Sequence, residues 1–189
     1  MLLTIYYMTK LVKSILKLHN KENKFWKYKP NNYSEKIIKR NLENYFKFLE
    51  SEKLPNRQRV IFGIPLMNES KNSFVGYSIL NIFSNAKPIG DETKFGKELN
   101  YVYLRDFIIK PNYNKIKYPT EKKLTEEFYY SDKLLNVGID IANKLNKEFI
   151  CDILCNNKKM KIFLEKNGLF EDFKWKIKNN KNLISRMTH

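Results

Sequence analysis

The chain has 189 residues, which is enough for one domain with a substantial core, and we expect a single domain over residues 1–189. Its hydrophobic fraction of 42% and aromatic fraction of 14% exclude a chain that is disordered throughout. Lys and Arg number 36 against 20 Asp and Glu, and the formal charge of +16 attracts phosphates, nucleic acid or acidic membranes. Because Lys, Asn, Ile and Tyr are all abundant, the same charge also fits a general compositional bias that needs no partner.

The cysteine content limits the disulfides and metal sites that the chain can form. The chain has two cysteines, Cys151 and Cys155, which cannot form a disulfide framework. Neither Cys nor His lies near them in the sequence to complete a zinc site, so we predict no metal. Both are expected to be buried structural thiols in a reducing, cytoplasmic compartment; the alternative is a nucleophile, for which no activating neighbour is present in the sequence.

The first half of the chain predicts two helices after a short strand. The opening MLLTIYYMTK is apolar but too short to span a bilayer, and it is predicted to be a first strand, with Met8 as an alternative start. A short amphipathic helix is predicted from Lys10 to His19. A second helix is expected to begin after Ser34 as its cap and to end before Pro55. The inner face of this second helix is predicted to contain Ile38, Leu42, Tyr45 and Leu49.

Strands follow in the middle of the chain. Runs rich in β-branched and aromatic residues predict three strands, at 59–67, 73–83 and 101–111. Pro65 cannot donate a ladder hydrogen bond, so the first of these is predicted to be irregular or at a sheet edge.

The C-terminal third alternates helices and strands. A helix is predicted from Ser131, as its cap, to Lys147, and a buried strand from 149 to 154. Asn157 is expected to cap a short helix that Gly168 ends in the left-handed conformation, before two final strands at 173–178 and 182–187. The predicted order is β-α-α-β-β-β-α-β-α-β-β.

Two stretches resemble a known family. LRDFIIKPNY resembles the fourth strand, with its exit, of the GNAT superfamily of N-acetyltransferases, and CNNKKMKIFLEKNGLF resembles the Asn-led helix after that family's fifth strand. The resemblance covers about 59–187. It implies an α/β fold with a mixed, mainly antiparallel sheet splayed between strands 4 and 5 and flanked by helices. It also implies transfer of an acetyl group from acetyl-CoA, as co-substrate, to a primary amine.

The resemblance assigns the cofactor-binding residues. In the family the pantetheine arm lies against the fourth strand as an added strand would, which implies the backbone of Ile108 and Ile109 here. The pyrophosphate lies on a Gly-rich loop that opens the third helix, but the two glycine positions fall here on Tyr129 and Ser131. A side chain there blocks close approach of phosphate, so Ser131 and Lys133 are the expected substitutes. Asn157 is a further candidate for cofactor contact as well as a helix cap.

The resemblance also proposes catalytic residues. Asp106 on the fourth strand is the candidate base that removes the proton of the acceptor amine; the alternative is an ion pair with Arg105 or a nearby Lys. Many family members have a Tyr acid on the last helix, at a position occupied here by Leu164. Tyr129, Tyr130 or a water molecule is the expected substitute.

The sequence is consistent with several acceptors and partners. Expected acceptors are a small amine, an amino sugar phosphate or a protein amino group, and the protein is expected to be a monomer or homodimer without a membrane partner. The lysine-interleaved aromatic residues of segment 24–29 either stack on bases, pack on the core or line the acceptor site. The insertion 113–130 is either a cleft cover or a loop. The alternative function is an inactive GNAT-like module that binds a protein or nucleic acid through its basic surface; a protein that only binds nucleic acid is a third option.

Overall fold

A computed structural model of the chain describes residues 2–22, 34–68, 70–71, 73–86, 99–110, 129–176 and 183–189. Within these ranges the chain forms four helices and six strands. The helices are α1 (Leu2–Glu22), α2 (Glu35–Ser51), α3 (Tyr129–Lys144) and α4 (Lys158–Lys166). The strands are β1 (Arg59–Met67), β2 (Phe74–Ala86), β3 (Leu99–Ile109), β4 (Glu148–Leu154), β5 (Phe170–Lys176) and β6 (Leu183–Thr188).

The predicted first strand is wrong, because the residues after Met1 already belong to α1. The helical spacing that begins at Lys10 extends back to Met8, which packs against the core one turn before Leu11 and Val12. No Gly or Pro interrupts this segment, so a helix nucleated by the buried turns extends through it at little cost. The predicted helix from Lys10 to His19 is thus the second half of a longer one.

The second helix begins as predicted, and Ile38 and Leu42 of its predicted inner face are buried, together with Asn41 and Phe48. Tyr45 is half-buried. The side-chain oxygen of Ser34 accepts a hydrogen bond from the Ile37 amide at 3.3 Å, which is the expected cap. Leu49, predicted to face inward, is 55% exposed, while Phe48 is buried. The Phe48 ring packs 5.2 Å from that of Phe62 on β1, and this contact takes the place predicted for Leu49.

The strands form one mixed sheet in the order β1-β2-β3-β4-β6-β5. β3 and β4 are parallel, and β6 pairs antiparallel with both β4 and β5. β1 is an edge strand, which explains how it accommodates Pro65. The predicted α/β class and mixed sheet are confirmed.

Chain contacts divide the protein into two compact units. The first comprises Met1–Leu54, Ile61–Ile79 and Asp106–Tyr130, and the second Pro55–Val60, Leu80–Arg105 and Ser131–His189. Strands β1, β2 and β3 each contribute residues to both units. The expectation of a single domain stays a prediction.

The core of the first unit joins α1 and α2 to the strands. Its buried members are Leu11, Val12, Ile15, Leu18, Ile38, Leu42, Phe74, Tyr77 and Ile79. His19 on α1 is buried here and shares a hydrogen bond with the Tyr77 hydroxyl. This histidine therefore belongs to the packing of the helix on the strand.

In the second unit α3 packs on the sheet through a glycine. An alanine Cβ at Gly138 would lie 2.9 Å from Cε2 of Phe149 on β4, so the ring fills the space beside the helix. The helix, predicted to reach Lys147, ends at Lys144, and Asn146 adopts a left-handed conformation. The Lys147 ammonium then donates to the Phe83 carbonyl at 3.0 Å.

Candidate active site

The ladder between β3 and β4 stops part-way along both strands. Within the described residues their pairs run from Tyr101 with Glu148 to Leu104 with Cys151. β4 continues to Leu154 and stays paired with β6. β3 continues to Ile109, and the amide of the next residue, Lys110, donates to the Val75 carbonyl of β2 at 2.8 Å. The β3–β4 pairing therefore covers only the earlier part of each strand.

The end of β3 lies very close to β2 at a glycine. An alanine Cβ at Gly76 would overlap the carbonyl oxygen of Ile108 and lie 3.0 Å from the Cα of Ile109. Only a residue without a side chain permits this approach of the two backbones. Of the two predicted pantetheine-binding residues, Ile108 therefore directs its carbonyl towards β2.

The predicted catalytic residues of the first unit lie on two elements. Asp106 is on β3 and half-buried. Tyr129 and Tyr130 are the first two described residues of α3, with ring centroids 5.1 Å apart in an edge-on arrangement. Tyr129 is exposed and Tyr130 half-buried.

The predicted cap of α3 is corrected by the structure. Ser131 lies inside the helix rather than before it, and its side chain is buried. The described helix includes Tyr129 and Tyr130, two residues before the predicted cap. Lys133, the other predicted phosphate-binding residue, is exposed on the same helix.

Asn157 caps α4 as predicted. Its side-chain oxygen accepts a hydrogen bond from the Met160 amide at 3.1 Å, and Gly168 ends the segment with a φ of 81°. Leu164, which occupies the position of the family's acid, is fully buried. At the other end of α4, the Asn167 amide nitrogen donates to the Asp132 carboxylate of α3 at 3.0 Å.

The two cysteines are free thiols in the second unit. Cys151 is buried as predicted, and burial, aided by the charge of Asp152, raises the pKa of its thiol to about 12. Cys155 is half-buried rather than buried. A thiol with such a pKa holds its proton at neutral pH, so Cys151 is not a nucleophile.

A buried polar cluster in the second unit was missed by the sequence analysis. Arg186 on β6 donates from Nε and Nη2 to the two carboxylate oxygens of Asp152 on β4, each at 2.8 Å. The Tyr103 hydroxyl on β3 donates to Asp152 Oδ2 at 3.3 Å. The Arg186 side chain is 2% exposed and that of Asp152 is 7% exposed.

The signal for this cluster was present in the sequence. FICDIL and NLISRM each place one charged residue within a run that otherwise reads as a buried strand. Buried charges require partners, and the register of β4 with β6 places Asp152 directly opposite Arg186. Burial, followed by the neighbouring carboxylate, raises the pKa of Tyr103 well above its ordinary value of 10.0.

Two segments with predicted roles lie partly or wholly outside the described residues. The aromatic and lysine residues of segment 24–29 lie there, as does the insertion up to residue 128.

In the part of the chain that the structure describes, no group of three His, Cys, Asp or Glu residues is placed to hold a metal ion. No described helix is long and apolar enough to cross a membrane.

Comparison with known proteins identifies the fold of the chain. No protein-family model and no curated protein matches the chain. Among solved structures, a mutant form of the spermidine/spermine N-acetyltransferase SpeG of Vibrio cholerae matches at 17% identity, over 96% of this chain and 89% of that chain, with a TM-score of 0.50. NAA60 of Arabidopsis thaliana, solved with a bisubstrate analogue, matches at 9% identity, over 93% of this chain and 92% of that chain, with a TM-score of 0.53.

The fold is that of the GNAT N-acetyltransferases. A further mutant form of SpeG from Vibrio cholerae matches similarly, with a TM-score of 0.52 at 17% identity, over 96% of this chain and 88% of that chain. At these identities the comparisons establish the fold and the order of its elements. The GNAT fold predicted from two short stretches is therefore confirmed over nearly the whole chain.

Proposed function

We propose that the protein is a cytoplasmic N-acetyltransferase that moves an acetyl group from acetyl-CoA to a primary amine. The observation that carries the proposal is the end of the β3–β4 ladder at Leu104 and Cys151, in a chain with the fold of N-acetyltransferases. Beyond that pair, Ile109 of β3 would offer its backbone to an extended ligand arm, which adds to a strand through main-chain hydrogen bonds.

The backbone of β3 suggests how the pantetheine arm would bind. The Ile108 carbonyl and the Lys110 amide are directed to β2. Because successive residues of a strand direct their backbone groups to opposite edges, Ile109 would supply the amide and carbonyl for pantetheine. Ile108 would then act mainly by holding β3 against β2.

The pyrophosphate would rest on residues around α3 and α4. Ser131, Lys133 and Asn157 remain the proposed contacts. The positive end of the α3 dipole attracts phosphate, and Lys133 adds a full charge. Because Ser131 is buried, its contribution would come from its backbone amide, while exposed Lys133 would bind the phosphate directly.

The reaction would proceed by direct transfer. The acceptor amine, after losing a proton to Asp106, attacks the thioester carbonyl and forms a tetrahedral intermediate. The nitrogen then gives up its surplus proton to water, and collapse of the intermediate breaks the C–S bond. The departing coenzyme A thiolate takes a proton from Tyr129, Tyr130 or water, so the products are the acetylated amine and the coenzyme A thiol. Backbone amides of β3 would stabilise the oxyanion.

A transfer assay tests the proposal. Purified protein is incubated with acetyl-CoA and, separately, with spermidine, glucosamine 6-phosphate or a short peptide with a free amino terminus. Free thiol release and the mass of the acetylated product are measured. We expect amine-dependent release that falls by about 100-fold or more in Asp106→Asn, in line with the usual contribution of a general base. Amine-independent release, or no release, contradicts the proposal and favours the inactive binding module.

A further inference from the structure

The buried Tyr103–Asp152–Arg186 cluster has no role in the function proposed so far. Each oxygen of Asp152 receives a guanidinium N–H from Arg186, and Oδ2 also accepts the Tyr103 hydroxyl. The bidentate geometry fixes the plane of the carboxylate, so the phenol proton has a fixed acceptor. Tyr103, the third member of the cluster, is half-buried.

The direction of this hydrogen bond determines whether Tyr103 can donate or accept a hydrogen bond with a ligand. A phenol has one proton and two lone pairs. Since the proton is directed to Asp152, the lone pairs remain to accept a hydrogen bond. The raised pKa of Tyr103 keeps the phenol protonated and neutral over the working pH range. The Asp152 and Arg186 charges compensate each other, so the cluster does not repel a cationic donor.

The cluster lies next to the last residue pair of the β3–β4 ladder. Tyr103 directly precedes Leu104, and Asp152 directly follows Cys151, the two residues that form the last β3–β4 pair. A polar cluster in a sheet interior is costly, and this one lies at the residues where the ladder ends. On the proposed function, that is where the acetyl group would meet the acceptor.

We propose that Tyr103 is a catalytic residue that holds the acceptor amine, its phenol oxygen accepting a hydrogen bond from an amine N–H. Asp152 and Arg186 are positioning residues that keep the phenol proton turned away from the amine. The inference rests on the proposed N-acetyltransferase function. The phenol proton stays on Tyr103 throughout; one amine proton goes to the base before attack, the C–N bond forms with the tetrahedral intermediate, and the C–S bond breaks when that intermediate collapses.

The test compares Tyr103→Phe with a matched control, Tyr101→Phe. Tyr101 lies two residues earlier on the same strand and is buried against Phe83, with the two rings stacked. Both changes remove one phenol oxygen and retain the ring. For each protein, the dissociation constant of acetyl-CoA is measured by calorimetry. The KM and kcat for the amine that the wild type acetylates fastest in the three-amine assay are then determined.

We expect Tyr103→Phe to raise the amine KM by about 10- to 100-fold, the effect of losing a hydrogen bond to a charged or strongly polar donor. The affinity for acetyl-CoA should stay within about twofold of the wild type, and Tyr101→Phe should leave the amine KM unchanged. An unchanged amine KM in Tyr103→Phe overturns the inference while the proposed function stands. A fall in kcat with an unchanged KM also overturns it, because the phenol would then act on the departing thiolate.

A second readout does not depend on turnover. In protein labelled with ¹³Cζ-tyrosine and saturated with free coenzyme A, the Tyr103 resonance is identified by its absence from Tyr103→Phe. Addition of the same amine should shift this resonance, and a resonance that does not move overturns the inference. If the wild type does not bind acetyl-CoA, the proposed function fails and the inference fails with it. If it binds acetyl-CoA but acetylates none of the three amines, the inference is overturned at the acceptor step.

Discussion

Replacing Arg186 by methionine tests how the buried ion pair contributes to stability. The change keeps an unbranched side chain of similar length and removes both hydrogen bonds to Asp152, each of 2.8 Å. Asp152 is then left as an uncompensated charge whose side chain is only 7% exposed. Breaking a buried pair in this way costs about 3–5 kcal/mol. That loss is a large part of the total stability of a typical domain, about 5–15 kcal/mol.

The double variant Asp152→Leu/Arg186→Met separates the charge penalty from the packing. It removes both charges, so no buried ion lacks a partner, and such replacements are often neutral or stabilising by about 1–4 kcal/mol. The Tyr103 hydroxyl loses its acceptor, but it is a neutral group on a half-buried residue, so its penalty is smaller than that of a buried charge. We therefore expect the double variant to be at least about 2 kcal/mol more stable than Arg186→Met.

Urea unfolding followed by circular dichroism gives the free energies of unfolding, and a thermal melt checks them. A loss of about 3–5 kcal/mol corresponds to a Tm about 6–20 °C lower in a chain of this size. The slope of the urea transition should be unchanged, since the variants expose similar surface on unfolding. If Arg186→Met loses less than about 1 kcal/mol, or if the double variant is no more stable than the single one, the reasoning from burial is refuted.

Three further changes have definite expected outcomes. Gly76→Ala should cost about 1–3 kcal/mol in urea unfolding, because its Cβ would overlap the Ile108 carbonyl and force the backbones apart; no loss would contradict the close approach. Asn157→Ala should cost about 1 kcal/mol by the same measurement, through the lost cap of α4, and a matching loss in Asn157→Ser would refute the capping role. The hydroxyl of Ser185, with neighbouring lysines, lowers the pKa of Glu171 to about 2, from an ordinary value of 4.5. Its stabilisation is therefore complete above about pH 4.5 and lost as the pH falls to about 2, so the stability difference between wild type and Glu171→Gln should shrink over that range; a constant difference would refute it.

The elements that were predicted best are those with strong local signals. β1 has the bounds expected from its β-branched run, and Asn157 and Gly168 mark the two ends of α4 as predicted. These signals depend on the residue itself, through side-chain capping or backbone freedom, and need no knowledge of the rest of the chain. The GNAT fold was predicted from the resemblance that two short stretches carry, one of which contains Asn157 and Gly168.

The misassigned elements depended on contacts distant in sequence. The segment up to Lys10 was predicted to be a strand because it is apolar and short, but Leu2 and the residues after it belong to a helix whose packing is fixed by Met8 and the turns that follow. Leu49 was placed inward by spacing alone, whereas the ring of Phe62, on another element, selects Phe48 instead. Tertiary contacts override local propensity in both cases.

In the candidate site, too, the sequence predicted only those residues whose signal lies in a short stretch of the chain. Asp106, Ile109 and Asn157 could be proposed from short stretches, since each lies in a recognisable local pattern. The cluster of Tyr103, Asp152 and Arg186 could not, because its members meet only through the register of three strands that lie apart in the sequence. A single charged residue within an apolar strand is the sign to follow in such a case.

The most direct test of the central claim is calorimetric titration of acetyl-CoA into the wild-type protein. The titration is performed at about 0.15 M salt, where the Debye length is about 8 Å and unspecific attraction of phosphate to the basic surface is screened. The account predicts saturable binding near one molecule per chain, with a micromolar dissociation constant, and weaker binding to Gly76→Ala. The absence of binding by the wild type, or binding that disappears as the salt is raised, would contradict the acetyltransferase account.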